Sequence, residues 1–405
     1  MPSARSLRGL DWFIFFVADV QTGFGPFISV YLTTQHWTQV DIGLVLTVGG
    51  LTALAGQMPG GALVDAARSE RFVAGVSIAA IGVSALALAV WASFPVVLGG
   101  QILHSLGSCV LGPAIAAISL GLVGYRGIGE RLGRNARFAS IGNGVAAAGM
   151  GACGYLISNR AVFFVTVALC LPALFALGRI REEEISPERA HGGRPVPHPG
   201  APWAALFELL RNAALIIFAA CIVLFQLANA PMLSLMSSVV TMRSSQWATV
   251  LVAACIVVPQ IVVACFSPWV GRKAQLWGRR PLLLIGFAAL PLRGLLFALT
   301  SDPYVLVAVQ VLDGISAAVL AVMVPLIIAD ATRGSGHFNL AQGIVGTAVG
   351  LGASFSTTLA GYVSDHCGSG CAFVGMSATA TAGFVLALAL MPETRPQDER
   401  AMAEV

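Results

Sequence analysis

Charge is scarce in this chain. Only 10% of its 405 residues are Asp, Glu, Lys or Arg, where soluble domains carry roughly 25%. Hydrophobic residues make up 57% of the chain and its mean hydropathy is +0.83. A water-soluble globule of this length is thereby excluded, because one core cannot bury so much apolar surface, whereas lipid can. Several chemical signatures are also missing. The chain has no Gly-x4-Gly-Lys-Ser/Thr phosphate loop, no catalytic-triad spacing and no zinc signature, which argues against an ATP-driven pump and against an enzyme. No cofactor is expected. The formal net charge of +4 is spread in short clusters between apolar runs and forms no single basic face. It therefore reads as membrane topology, and no nucleic-acid partner is expected.

In place of charge there are long apolar runs. A spanning helix needs about 20 such residues across a hydrocarbon core roughly 30 Å thick. Runs bounded by charge or by Pro and Gly predict helices near 10–32, 41–64, 72–91, 95–123, 135–158 and 160–178. Six more fall near 212–240, 247–270, 281–300, 303–331, 338–363 and 371–391. The expected organisation is an N-terminal six-helix half at 1–178, a linker at 179–211, a C-terminal six-helix half at 212–391 and a tail at 392–405. The linker carries Glu182, Glu183, Glu184 and a Pro/His/Gly stretch from Arg194 to Pro202, which predicts a flexible, solvated segment. The first apolar run follows two Arg but precedes no small-residue cleavage site, so it is read as helix 1 and not as a removable signal. Of the 23 Lys and Arg residues, Arg160 and Arg243 fall on one side and Arg293 within a helix. The remainder share the other side, which places both termini and the linker in the cytoplasm of a multi-pass inner-membrane (plasma-membrane) protein.

The two halves carry matching punctuation. In helices 1 and 7, Gln21-x4-Pro26 pairs with Gln226-x4-Pro231. In helices 4 and 10, Gln101-x-x-His104 pairs with Gln310-x-x-Asp313, and in helices 5 and 11 Asn135 and Gly142 pair with Asn339 and Gly346. The order is the same in each half, which argues for an internal repeat around a central cavity.

On these residues the chain resembles the major facilitator superfamily over nearly its whole length. The loop after helix 2, Gly61-Ala62-Leu63-Val64-Asp65-Ala66-Ala67-Arg68, is similar to that family's Gly-x-x-x-Asp-Arg-x-Gly-Arg loop. A second copy runs from Gly271 to Arg280 and contains Gly278 and Arg279. The first copy has Ser69 and Glu70 where Gly and Arg are expected, and the second has Gln275 for Asp. The closing Pro392-Glu393-Thr394-Arg395 also resembles many members. The resemblance implies an all-α fold of twelve transmembrane helices in two pseudo-symmetric halves, a monomer, and transport by alternating access. It also implies that helices 1, 4, 7 and 10 line the cavity. In the first loop, Gly permits close helix approach, Asp65 can sit at a neighbouring helix N-terminus and Arg68 can clamp it, so the two loops read either as a cytoplasmic gate or as ordinary charged turns. The family's helix-4 Arg is Gln101 here, and helix 5 has no Gly-Pro antiporter signature, so the direction of transport stays open.

Ionisable groups in hydrocarbon are expensive and mark functional positions. Asp19 lies roughly 14 Å into helix 1, and His104 and Asp313 lie roughly 14 and 15 Å into helices 4 and 10. All three fall near the midplane, with Gln21, Gln101, Gln226, Asn229 and Gln310 as neutral lining or as interhelical hydrogen bonds. Arg293 on helix 9 must turn inward, at a depth within reach of Asp313. That pair either neutralises itself or opens to admit an anion. Asp19, and then His104, are the expected proton sites. Six cysteines within helices read as small packing residues. Cys367 and Cys371, in an outer loop, could be bridged, hold a metal or stay free. Met232 and Met236 share a helical face that a soft ion such as Cu(I) would accept, or simply pack. The expected activity is proton-coupled efflux of a small organic molecule; the alternatives are uptake of a polar or anionic metabolite, copper import and a non-transporting sensor. The expected partners are the lipid bilayer, a small-molecule solute and protons.

Overall fold

A computed structural model of the chain describes residues 2–22, 26–193, 202–243, 248–300 and 302–395. Of the described residues 89% are helical, and no strand occurs among them. Helix is what a bilayer selects, because every backbone N–H and C=O must find its partner within the segment.

The helices are α1 (Ala4–Thr22), α2 (Pro26–Thr34), α3 (Gln39–Asp65), α4 (Glu70–Val90), α5 (Phe94–Leu156) and α6 (Asn159–Gly178). A 3₁₀ turn at Glu182–Glu184 and the short α7 (Pro187–Ala190) and α8 (Pro202–Leu210) lie in the linker. The remainder are α9 (Ala213–Arg243), α10 (Ala248–Trp277), α11 (Arg279–Leu299), α12 (Pro303–Ala331), α13 (Phe338–Cys367) and α14 (Ser369–Leu390). Among the described residues, ten helices are long and apolar enough to cross a membrane. One of them, α5, has 63 residues and covers two of the expected spans. The expected first span takes in most of α1 and α2, with residues 23–25 outside the described residues. The helices suit a twelve-helix transporter fold.

Two local differences from the sequence reading have plain causes. The expected end of helix 4 at 123 is met by a break at Gly124, whose φ of 67° and ψ of 179° are not helical and whose positive φ favours glycine, so α5 is two helices across a kink. The difference is that the second of them starts directly after Gly124, with no loop at 125–134. The charged residues that suggested a loop, Arg126, Glu130, Arg131 and Arg134, are good helix formers. The first part of the linker is packed and not solvated. Ile180, Ile185, Ala190 and His191 are all buried, Arg71 Nη1 donates to Ile180 O at 2.5 Å, and Ser186 N donates to Gly121 O. The Pro/His/Gly stretch of the linker, from Arg194 to residue 201, lies outside the described residues, as does the end of the tail. Starts of helices are capped as their sequences suggest: the side chains of Thr38, Ser69 and Ser158 accept from Asp41 N, Phe72 N and Ala161 N.

The chain packs as two compact units. The first comprises 1–128, 138–205 and 332–343, and the second 129–137, 206–331 and 344–405. In the first, α6 packs on α1 and α4, around a core that includes Phe13, Tyr31, Ile78, Leu88 and Phe163. In the second, α12 packs on α10 and α11, and α14 on α9 and α11. The middle of α5 (129–137) belongs to the second unit, and the first turn of α13, with the residues before it (332–343), belongs to the first.

Candidate functional site

The polar residues expected at mid-depth fall into two groups. In the first unit, Asp19 on α1 is 2% exposed and its Oδ1 has no hydrogen-bond partner. Gln101 on α5 is buried, with its side chain against the open face of Gly49 on α3 and its Oε1 without a partner. His104, one turn on, is half-buried, and Gln21 is exposed at the end of α1.

In the second unit, Arg293 on α11 is 1% exposed. Its Nη1 donates to Asp313 Oδ1 on α12 at 2.5 Å and to Asn229 Oδ1 on α9 at 2.8 Å. The guanidinium also lies 5.4 Å from the Phe297 ring centroid. Its Nε has no hydrogen-bond partner, and neither side-chain atom of the fully buried Gln310 has one. Helix rise and the cost of a lone charge in lipid together account for the contact between Arg293 and Asp313. Gln226 is half-buried beside Gly352 of α13.

A second cluster forms where α3 ends, and all of it lies within the first unit. Asp65 Oδ1 accepts from the Asn339 backbone N at 3.1 Å and from Asn339 Nδ2 at 2.8 Å, and Oδ2 accepts from Leu340 N at 2.7 Å. These amides open α13, where a helix has unpaired donors and a partial positive charge that a carboxylate satisfies. Gly61, one turn back along α3, lets the helices approach closely: a Cβ there would overlap the Asn339 carbonyl oxygen. Arg68 is exposed and stands outside this cluster. The partner that sequence reasoning missed is His191 of the linker, 1% exposed. Its Nε2 lies 3.1 Å from Glu70 Oε1 and its Nδ1 3.6 Å from Asp65 Oδ1. Burial works against a charged imidazole, but the close carboxylates of Asp65 and Glu70 outweigh it and raise the pKa from 6.5 to about 9. His191 is therefore a cation at neutral pH. No spacing rule links a linker histidine to residues more than a hundred positions earlier, so the sequence carried no signal for it.

The second loop repeats part of this arrangement within the second unit. A Cβ on Gly271 would overlap the Gly129 carbonyl oxygen on α5, as one on Gly61 would overlap Asn339. Here the facing residue, Gly129, lies past the first turn of the helix that follows Gly124, where amides pair within the helix, so the absence of an acid at Gln275 is understandable. Gly278 N-caps α11 with a φ of 93°. Glu393 accepts from the backbone N of Arg279 and of Arg280 at 2.9 and 3.1 Å, which gives the Pro392-Glu393-Thr394-Arg395 tail a structural purpose. Arg279 is 1% exposed, and its Nε donates to Asp330 Oδ2 at 2.8 Å.

The sequence profile of the Major Facilitator Superfamily matches residues 11–292 and 230–403. The chain belongs to the major facilitator superfamily. It is 38% identical over 398 residues, 98% of its own length and 95% of theirs, to uncharacterised MFS-type transporters from two strains of Mycobacterium tuberculosis. Its fold is similar to that of the E. coli fucose:proton symporter FucP, with a TM-score of 0.74 at 15% identity, covering 94% of this chain and 97% of that one. It is also similar to the human organic anion transporter MFSD10, with a TM-score of 0.69 at 14% identity, covering 95% and 100%. This MFS chain is a multi-pass membrane transporter for small solutes. Within the transporter, Met232 and Met236 are fully buried, and Met236 Sδ meets Cys255 Sγ at 3.7 Å. No cluster of three or more His, Cys, Asp or Glu that could hold a metal occurs among the described residues. Cys367 and Cys371 are exposed, unbridged thiols.

Proposed function

We propose that this transporter exports a small organic molecule in exchange for protons, by alternating access, as an inner-membrane monomer with both termini and the linker in the cytoplasm. The observation that carries this reading is Asp19: a carboxyl 2% exposed, directly after the apolar run Trp12–Ala18 of α1, with Oδ1 unsatisfied. A carboxyl in that setting can hold a proton in one state and release it in another when its surroundings change. His104 is the second proton-binding group. Gln101, Gln226, Asn229, Gln310 and Asp313, with Gln21 at the end of α1, supply hydrogen bonds to the solute. The Asp65 cluster, with Arg68 nearby and the Gly271 loop as its counterpart, is the cytoplasmic gate. The amides it ties down belong to a helix whose first turn lies in one unit and whose remainder lies in the other.

The test is the pH change inside liposomes carrying the purified protein when cationic, neutral and anionic compounds are added in turn. Proton movement driven by cationic or neutral compounds, and abolished by Asp19→Asn, is the expected result. Solute-driven proton movement that persists in Asp19→Asn overturns the role of Asp19. A second reading, uptake of an anionic metabolite, is favoured by one observation: Arg293 keeps Nε without a partner beside a half-buried Asp313. A response confined to anions and lost in Arg293→Gln would select that reading instead.

A further inference from the structure

The helix that follows each loop copy begins with a buried charged residue of opposite sign in the two halves. In the second half, Arg279 opens α11 after its N-cap Gly278 and pairs with Asp330. In the first half, Glu70 opens α4 after its N-cap Ser69 and is 3% exposed. A buried carboxylate at that place needs a cation, since removing the partner of a buried charge is strongly destabilising. Neither α3 nor the loop supplies one, because Arg68 is exposed. The cation comes from the linker.

We propose that His191 is the missing charge of the first-half loop, a positioning residue that binds Glu70 and Asp65 together and ties the linker to the start of α13. This rests on reading the Asp65 cluster as the gate. The geometry around the ring supports it. His191 O accepts from Phe338 N, and the next residue's carbonyl, Gly192 O, accepts from Gly334 N at 2.5 Å. Linker backbone and α13 entry are thus joined by hydrogen bonds on either side of the imidazole. The Asn339 side chain also donates to Ala190 O as well as to Asp65, so the same amide touches linker and carboxylate.

The groups facing His191 are few. Asp65 comes from α3 and Glu70 from α4. The start of α13 offers the Phe338 and Asn339 amides, and the half-buried His337 is the ionisable residue immediately before it. Arg189 of the linker is directed at Gly124, and Arg333, before α13, lies over the Tyr125 ring at 5.0 Å. With two carboxylates against one imidazole, losing the imidazole's proton leaves two like charges buried together, and the linker then lets go of α13. The transporter thereby gains a gate whose closed state weakens at alkaline pH on the linker side.

Hydrogen exchange on the full-length protein in detergent tests this without any solute. The readout is exchange at the Gly334, Phe338, Asn339 and Leu340 amides, corrected for intrinsic rates, at about pH 7 and about pH 10. In the wild type, protection of these amides should fall roughly tenfold or more between the two. The Arg279 and Arg280 amides, held by Glu393, should not change. His191→Gln should exchange at the faster rate already at neutral pH and show no further dependence. His191→Lys, with an ordinary pKa about four units higher, should keep its protection to higher pH. Unchanged protection in His191→Gln overturns the proposal. Should that variant not fold, the wild type alone decides: protection that is flat across the pH range overturns it. Because no transport is measured, failure here leaves the proton-coupling reading of Asp19 standing, and failure of the liposome test leaves this one standing.

Discussion

Asp330 and Arg279 are each almost wholly buried and hold one another at 2.8 Å. Asp330→Asn takes the carboxylate away from a buried guanidinium, and we expect a loss of about 3–5 kcal/mol, read as a lowered thermal midpoint in detergent. A loss below about 1 kcal/mol would mean that the pair is solvated in the folded protein. Gly61 offers a sharper contrast. Gly61→Ala puts a Cβ onto the Asn339 carbonyl, while Gly43→Ala, on the same helix, meets open space. The first should destabilise and slow transport. The second should be neutral or stabilise by up to about 1 kcal/mol, as expected when a helix-interior glycine gains a methyl group. Equal effects at both positions would contradict the close approach of α3 and α13.

Among the helices, α11 depends on a residue far beyond its own sequence. Glu393 takes the first two amides of α11 as an N-cap side chain would, because Gly278 has none to offer. Glu393→Ala should cost about 1–2 kcal/mol, and Glu393→Gln, which can still accept, should cost less. Differential scanning of both variants separates a capping role from mere occupancy of space; equal losses would indicate the latter. The linker and α5 show where reading elements from sequence stops. Charged residues at 126–134 marked a loop because they interrupt an apolar run, yet they form the first turns of the helix that follows the break at Gly124, since charge breaks a membrane span without breaking hydrogen bonds. Apolar Ile180 and Ile185 signalled that part of the linker would pack, but the Glu-rich and Pro-rich residues around them masked the signal.

For the molecule as a whole, pH enters through His191. Its pKa is about 9 in the folded protein against 6.5 ordinarily. Its contribution is therefore fully present below about pH 6.5 and is lost as pH rises through about 9. The thermal midpoints of wild type and His191→Gln should differ most below about pH 6.5 and converge as pH rises above about 9. A gap that stays constant with pH would mean that the imidazole contributes by packing and not by charge. The two-fold repeat is visible both in sequence and in contacts: Gly61 faces Asn339 as Gly271 faces Gly129. In the first pair a carboxylate takes the amides of a helix start. In the second the facing residues lie past the first turn of the helix that follows Gly124 and need none.

The membrane class, the helical content, the internal repeat and the family were all decided by the sequence, because hydropathy and loop punctuation are local, and lipid permits few answers to a long apolar run. The partnership of Arg293 with Asp313 was accessible for the same reason: fixed helix rise and the cost of an unpaired charge leave few positions to choose from. Only the tertiary structure decided which groups surround Asp65. A histidine in a linker, a carboxylate opening α4 and the first amides of α13 are distant in sequence, and side chains that meet through folding leave no periodicity behind them. Their meeting is a matter of packing, and packing is settled by the whole chain at once.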